Sequence, residues 1–157
     1  MTLLQTISMA GGVTSVTSNA IPNTYKHLLI IGKGLYASGN LDGTIRINGD
    51  SGSNYYCGGY NGQGSAISGE SGTQTGIPIP TVNPNITGDN ASVMITHLYN
   101  YGSPNCTGTM VSHGVSWTRM RNLAINYIGS AVSTLVFSRS QVDHTYQGGS
   151  FEIWGVN

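Results

Sequence analysis

An all-β fold, an antiparallel β-sandwich of jelly-roll type with about eight short strands, is what three features of this chain predict. Apolar residues recur mostly with a period of two. Turn-forming Gly, Ser, Asn and Pro interrupt the pattern about every 8–12 residues. Helical spacing is almost absent. The one segment that could carry it, "TRMRNLAINYIG" (118–129), aligns Met120, Leu123, Ala124 and Tyr127. It aligns Leu123, Ile125 and Tyr127 equally well as a strand, and its two asparagines and flanking Ser and Gly favour the strand. At 157 residues the chain suits a single sandwich domain over 1–157.

Taken in order, "LLQTISM" and "VTSVTS" read as a short hairpin around Gly11-Gly12. Residues 1–17 are therefore expected to form an N-terminal arm or edge hairpin, open to pairing with another chain. In "TYKHLLIIG", Tyr25, His27, Leu29 and Ile31 share one face, and Lys26, Leu28 and Ile30 the other. Both faces turn apolar by Leu28, which predicts a central strand covered on both sides. "LDGTIRIN" alternates cleanly, with Leu41, Ile45 and Ile47 facing a core. "SVMITHLYNY" sets Val93, Ile95, His97 and Tyr99 against Met94, Thr96 and Leu98, and "TMVSHGVSWT" aligns Val111, His113, Val115 and Trp117. "STLVFSR" and "SFEIWGV" supply Leu135, Phe137, Phe151 and Ile153 as core residues. Between these strands, Gly58 to Asp89 is rich in Gly, Ser, Thr, Asn and Pro. It reads as one long loop, with "IPIP" biased to an extended, docked piece.

Charged residues are only 8% of the chain, and six Lys and Arg balance six Asp and Glu. Nucleic-acid binding draws on clustered Lys and Arg, so no nucleic-acid partner is expected. A surface without net charge lacks the self-repulsion that keeps copies apart. No window approaches the ~20 apolar residues of a membrane span, and "MTLLQTISMAGG" lacks the basic start of a signal peptide. Cys57 and Cys106 fit no zinc spacing and no CxxC motif, and read as two free thiols in a reducing compartment. Sequons at Asn85, Asn90 and Asn105 are no more than this composition produces by chance.

Enzyme chemistry needs converging groups, and the six acids at Asp42, Asp50, Glu70, Asp89, Asp143 and Glu152 are scattered. No GxSxG, HExxH, P-loop or Rossmann pattern occurs. The chain is read as a non-enzyme with no cofactor and no metal. His27, His97 and His113 take inward positions as ordinary core or interface histidines, and His144 sits in a solvent-facing turn. "RINGDSGSNYY" reads as a corner. Asn48 and Gly49 tolerate positive φ, Asp50 and Asn54 cap the turn, and Tyr55 starts the next strand. A calcium site on Asn48, Asp50 and Asn54 would have one carboxylate, too little charge for tight binding. Tyrosines at strand ends serve either as rim packing or as interface. Interface candidates are Leu3, Leu4 and Ile7 in the N-terminal segment, with Tyr60, Ile77, Ile79 and Tyr101.

Three motifs in order, "IPNTYKHLLIIGKG" (21–34), "INGDSGSNYY" (47–56) and "GGSFEIWGVN" (148–157), resemble a family of bacteriophage virion β-sandwich proteins. Trp154 stands where that family usually has a tyrosine, and 58–89 matches in composition alone. The resemblance implies a virion structural module without catalytic residues, of the capsid decoration (cement) or tail-fibre tip type. A tip normally follows a shaft, whereas strand pattern here begins within the first residues. The expectation is therefore a decoration protein, a homotrimer that bridges major capsid proteins on the virion. The rival is a receptor- or glycan-binding tip, with a tyrosine-lined groove in 58–89.

Overall fold

The computed structural model describes residues 1–39, 41–82, 92–114, 119–139 and 143–157. Among these no helix occurs, and two antiparallel sheets pack into a β-sandwich. The strands are β1 (Thr2–Ser8), β2 (Ser15–Thr17), β3 (His27–Ala37), β4 (Leu41–Ile47), β5 (Tyr55–Gln63) and β6 (Ala66–Gln74). They continue with β7 (Ile77–Val82), β8 (Ser92–Tyr99), β9 (Thr107–Gly114), β10 (Arg119–Tyr127), β11 (Leu135–Arg139) and β12 (Tyr146–Val156). The large sheet runs β1-β12-β3-β8-β9-β10-β5-β6, and the small sheet β2-β11-β4-β7.

Alternation places the core. On β8, Met94, Thr96 and Leu98 are buried while Val93 and Ile95 are exposed. On β4 and β7, Ile45, Ile47, Ile77 and Ile79 face Leu28, Ile30, Met110, Leu123 and Ile125 of the large sheet within one cluster. Each such side chain contributes about 1.5–3 kcal/mol by leaving water. Phe137 of β11 stacks on Phe151 of β12, ring centroids 4.2 Å apart, and so joins the two sheets directly.

The architecture differs from the sequence expectation in four places. Twelve strands are described rather than about eight, because the described part of the Gly/Ser-rich stretch, 58–82, is not a loop. Most of it forms β5, β6 and β7, paired through backbone hydrogen bonds that need no side-chain alternation. The N-terminal segment is not a hairpin. β1 pairs with β12 in the large sheet and β2 with β11 in the small one. Gly11 and Gly12, at φ 87° and 77°, turn the chain from one sheet to the other. β3 is central, between β12 and β8, yet only one of its faces is fully buried. Ile7, Ile77, Ile79 and Tyr101 are buried in this chain's own core and cannot form an interface. The Tyr101 hydroxyl donates to the Pro22 carbonyl, which pins the segment leading into β3.

Candidate functional site

Three constellations stand out once the strands are in place. The first is the corner between β4 and β5. Asn48 and Gly49 have φ 55° and 72°, and the Asp50 N–H donates to the Ile47 carbonyl at 2.9 Å to close the turn. Asn48 ties this turn to the segment before β11. Its Nδ2 donates to the Ala131 carbonyl at 2.8 Å, and its Oδ1 accepts from the backbone N–H groups of Ser133 and Thr134 at 2.8 and 3.0 Å. The Asp50 carboxylate accepts from the Gly52 N–H at 2.8 Å, Asn54 Nδ2 at 2.9 Å and the Tyr127 hydroxyl at 3.1 Å. These donors, Asn54 foremost, hold its carboxyl below the usual carboxylate value. Tyr55 is buried, accepts from the Ile47 N–H at 2.8 Å and packs with its ring tilted 37° against Tyr127, centroids 4.8 Å apart. The side chains of Asn48 and Asp50 are thereby engaged within the chain. The chemistry is that of a fastener between the two sheets.

The second is a pair of adjacent histidines. His27 of β3 and His97 of β8 meet edge to face at 5.4 Å, and Tyr99 lies 4.3 Å from His97. Burial first, then the neighbouring His27, pushes His97 below its ordinary value, so it is neutral at pH 7. Both rings sit on the outer face of the large sheet, not in the core as expected. They occupy the half-covered side of β3 and β8, opposite Leu28 and Leu98. His113 is also on the outer face, exposed rather than inward as expected, but it lies apart from them. It pairs with Val93, four residues along β8 from His97, or roughly 13 Å away. Among the described residues no three His, Cys, Asp or Glu side chains gather as metal ligands. His144 also departs from expectation: it is half-buried, with its ring lying over Gly39. Next to His27 lies a polar groove of about 470 Å³, bordered by Asn23, Tyr25, Tyr99, Asn100 and Ser103.

The third is the outer face of the large sheet from β8 to β6. Registers align Ile95, Val111, Asn122 and Tyr60 in one row across four strands. Val93, His113, Met120, Gly62 and Ile67 form the next row. Most of these are large and open to solvent: Ile95 48%, Val111 56%, Met120 61%, Tyr60 67% and Ile67 79%. Among the described residues no charged side chain points out of this part of the face. A groove of about 230 Å³ opens between Tyr60, Ile67, Val111 and Met120. Contiguous exposed apolar surface of this kind marks an interaction site. Of the residues singled out beforehand, Tyr60 alone belongs to it; Leu3, 44% exposed, and the half-buried Leu4 lie on β1 at the other end of the sheet. Val93, Ile95, Val111 and Met120 were missed because a strand with apolar residues on both faces does not announce which face is the core. The flanking polarity was the available signal: Thr107 and Thr109 share the outer face of β9 with Val111.

Isolated acids complete the inventory. Glu70 of β6 pairs with Arg121 of β10 at 3.2 Å across the inner side of β5, and Glu152 pairs with Lys33 on the outer side of β12 and β3. Asp89, Asn85, Asn90, Val115 and Trp117, and the side chain of Asp42, lie outside the described residues. No family model matches this chain, and no curated protein or solved structure does.

Proposed function

We propose that this chain is a bacteriophage virion structural protein, a capsid decoration (cement) protein that associates with its own copies and bridges major capsid proteins. The observation that carries this reading is the uncharged, apolar outer face built from Val93, Ile95, Val111, Met120, Tyr60 and Ile67. Such a face is cheap to desolvate and suits a protein that covers a larger particle through many weak, repeated contacts. The motif resemblance at 21–34, 47–56 and 148–157 points the same way. The test is the copy number in purified virions by quantitative mass spectrometry. Hundreds of copies place it on the head, and a few to a few dozen place it on the tail. Absence from virions overturns the reading.

A glycan-binding tip is the second reading, and one observation favours it. The groove beside His27 combines two tyrosine rings with the amides of Asn23 and Asn100, groups that stack on and hydrogen-bond to sugars. The groove expected in 58–89 has a described counterpart lined by Tyr60 and Ile67, with Val111 and Met120 as its other walls. Titration of the protein against a glycan array, with Tyr99→Ala as control, decides this: binding lost in the variant supports a tip, and no binding removes it.

A further inference from the structure

We infer that strand β6 is the edge by which two copies of this chain join, antiparallel and about a two-fold axis, into one continuous sheet. The inference does not need a virion. It follows from comparing the four strands that end the two sheets.

Exposed edges invite pairing with other chains, and native proteins guard them with prolines, short strands, bulges or charges. β7 carries Pro78 and Pro80, which remove two backbone donors. β2 is three residues long. β1 shifts register between Leu3 and Gln5, the irregularity of a bulge, and Gln5 Oε1 is occupied by the Asn19 N–H at 2.8 Å. β6 has no proline, no bulge and no shortening. It runs nine residues without proline, lysine or arginine, and its pairing with β5 keeps register throughout. Its single charge, Glu70, turns to the inner side and is neutralised by Arg121.

β6 is also poorly supported by its own chain. Cross-strand side-chain pairs are what stabilise a sheet. Here Cys57 faces Gly72, Gly58 faces Ser71, Gly59 faces Glu70, Tyr60 faces Gly69 and Gly62 faces Ile67. A glycine occupies one side in these five of the nine pairs, so backbone hydrogen bonds carry much of the hairpin. A second strand on the open edge would supply as many again.

The occupant is a second copy. Row after row, the face beside β6 lacks charge, so it meets its own symmetry mate without like-charge contact. A single long, regular edge among the described strands pairs with itself and gives a two-fold dimer; a three-fold ring needs two different, complementary edges. In an antiparallel junction the two-fold axis stands perpendicular to the sheet. Both apolar outer faces then point the same way and double the surface available to a larger particle.

The test is the mass of the full chain in solution by light scattering across a wide concentration range. Twice the 16.5 kDa of one chain is expected. Ile67→Lys with Ser71→Lys, both exposed positions on β6, halves that mass while far-ultraviolet circular dichroism keeps its β signature. Leu3→Lys on β1 leaves the dimer intact. A single-chain mass at all concentrations, a three-chain mass, or a dimer that survives the β6 lysines overturns the inference, as does a dimer dissolved by Leu3→Lys. Hydrogen exchange on the unaltered protein is independent of any variant. Residues 66–74 exchange more slowly at high than at low concentration; equal exchange overturns the inference. A dimer absent from virions removes the proposed function and leaves this inference, and a monomeric virion protein does the reverse.

Discussion

The hydroxyl of Tyr127 donates to Oδ2 of Asp50 at 3.1 Å across 77 residues of chain. β10 of the large sheet is thereby tied to the turn that follows β4 of the small one. Asp50→Ala leaves Tyr127, Asn54 and the Gly52 N–H without their common acceptor. The expected loss is about 1–2 kcal/mol, the size of partly exposed hydrogen bonds to a charged group. Asp50→Asn keeps an acceptor and loses less. Urea unfolding followed by tyrosine fluorescence measures both, and an unchanged midpoint in Asp50→Ala would remove the fastener role.

The same carboxylate sets an acid limb. Its folded value lies below the ordinary 3.8, so its contribution is complete above about pH 4 and is lost as pH falls through the folded value. The alkaline limb has the opposite origin. Burial pushes Cys57 and Cys106 from 9.0 up to about 11, and Tyr127 from 10.0 up to about 12. The unfolded chain releases these protons first, so stability falls as pH rises from about 9 toward 12. The urea midpoint should decline over that window, and both thiols should resist a thiol reagent at pH 8 until denaturant is added. Rapid labelling of the native protein would contradict the buried placement of both cysteines.

Thr96 points into the core between the sheets, fully buried, with no hydrogen-bond partner for its hydroxyl among the described residues. A buried hydroxyl without a partner costs about 1–3 kcal/mol in protein substitutions. Thr96→Val swaps that hydroxyl for a methyl group of similar size. The melting temperature should rise by about 2–4 °C, as expected for a gain of about 1 kcal/mol in a domain of this length. A fall would mean that the hydroxyl is satisfied.

What could be read in advance tracks how each segment encodes its structure. β4 alternates Ile45 and Ile47 with Thr44 and Arg46, and its burial follows that alternation. The Asn48-Gly49 turn is local chemistry, since the two residues best suited to positive φ stand side by side. β6, by contrast, reads "AISGESGTQ" and nearly all of it is exposed. Its conformation comes from backbone pairing with β5, which leaves no periodic trace. The β1–β2 crossing was hidden for a related reason. A glycine pair serves a hairpin and a change of sheet equally well, and only tertiary partners distinguish them. The outer-face histidines reveal the limit of period two itself: alternation separates His97 from Leu98 but does not say which of them is inside.

Gly59 and its neighbour Gly58 offer the sharpest test of how the β5–β6 hairpin is held. A Cβ on Gly59 would lie 2.0 Å from the Asn122 carbonyl oxygen, a backbone atom that cannot swing away. A Cβ on Gly58 meets nothing nearer than 3.9 Å. Gly59→Ala must therefore push β5 off β10, breaking the pairs from Leu123–Gly59 to Met120–Gly62 while the sandwich core beyond them stays packed. Gly58→Ala should be neutral or stabilising by a few tenths of a kcal/mol, because it removes backbone freedom from the unfolded chain. Hydrogen exchange resolves the two outcomes by residue. Gly59→Ala should lose protection across residues 58–72 and retain it in β3, β8 and β12, and Gly58→Ala should change neither. Equal tolerance of both substitutions would mean that β5 does not approach β10 this closely. The apolar row through Tyr60, Asn122 and Val111 would then lose its geometric basis.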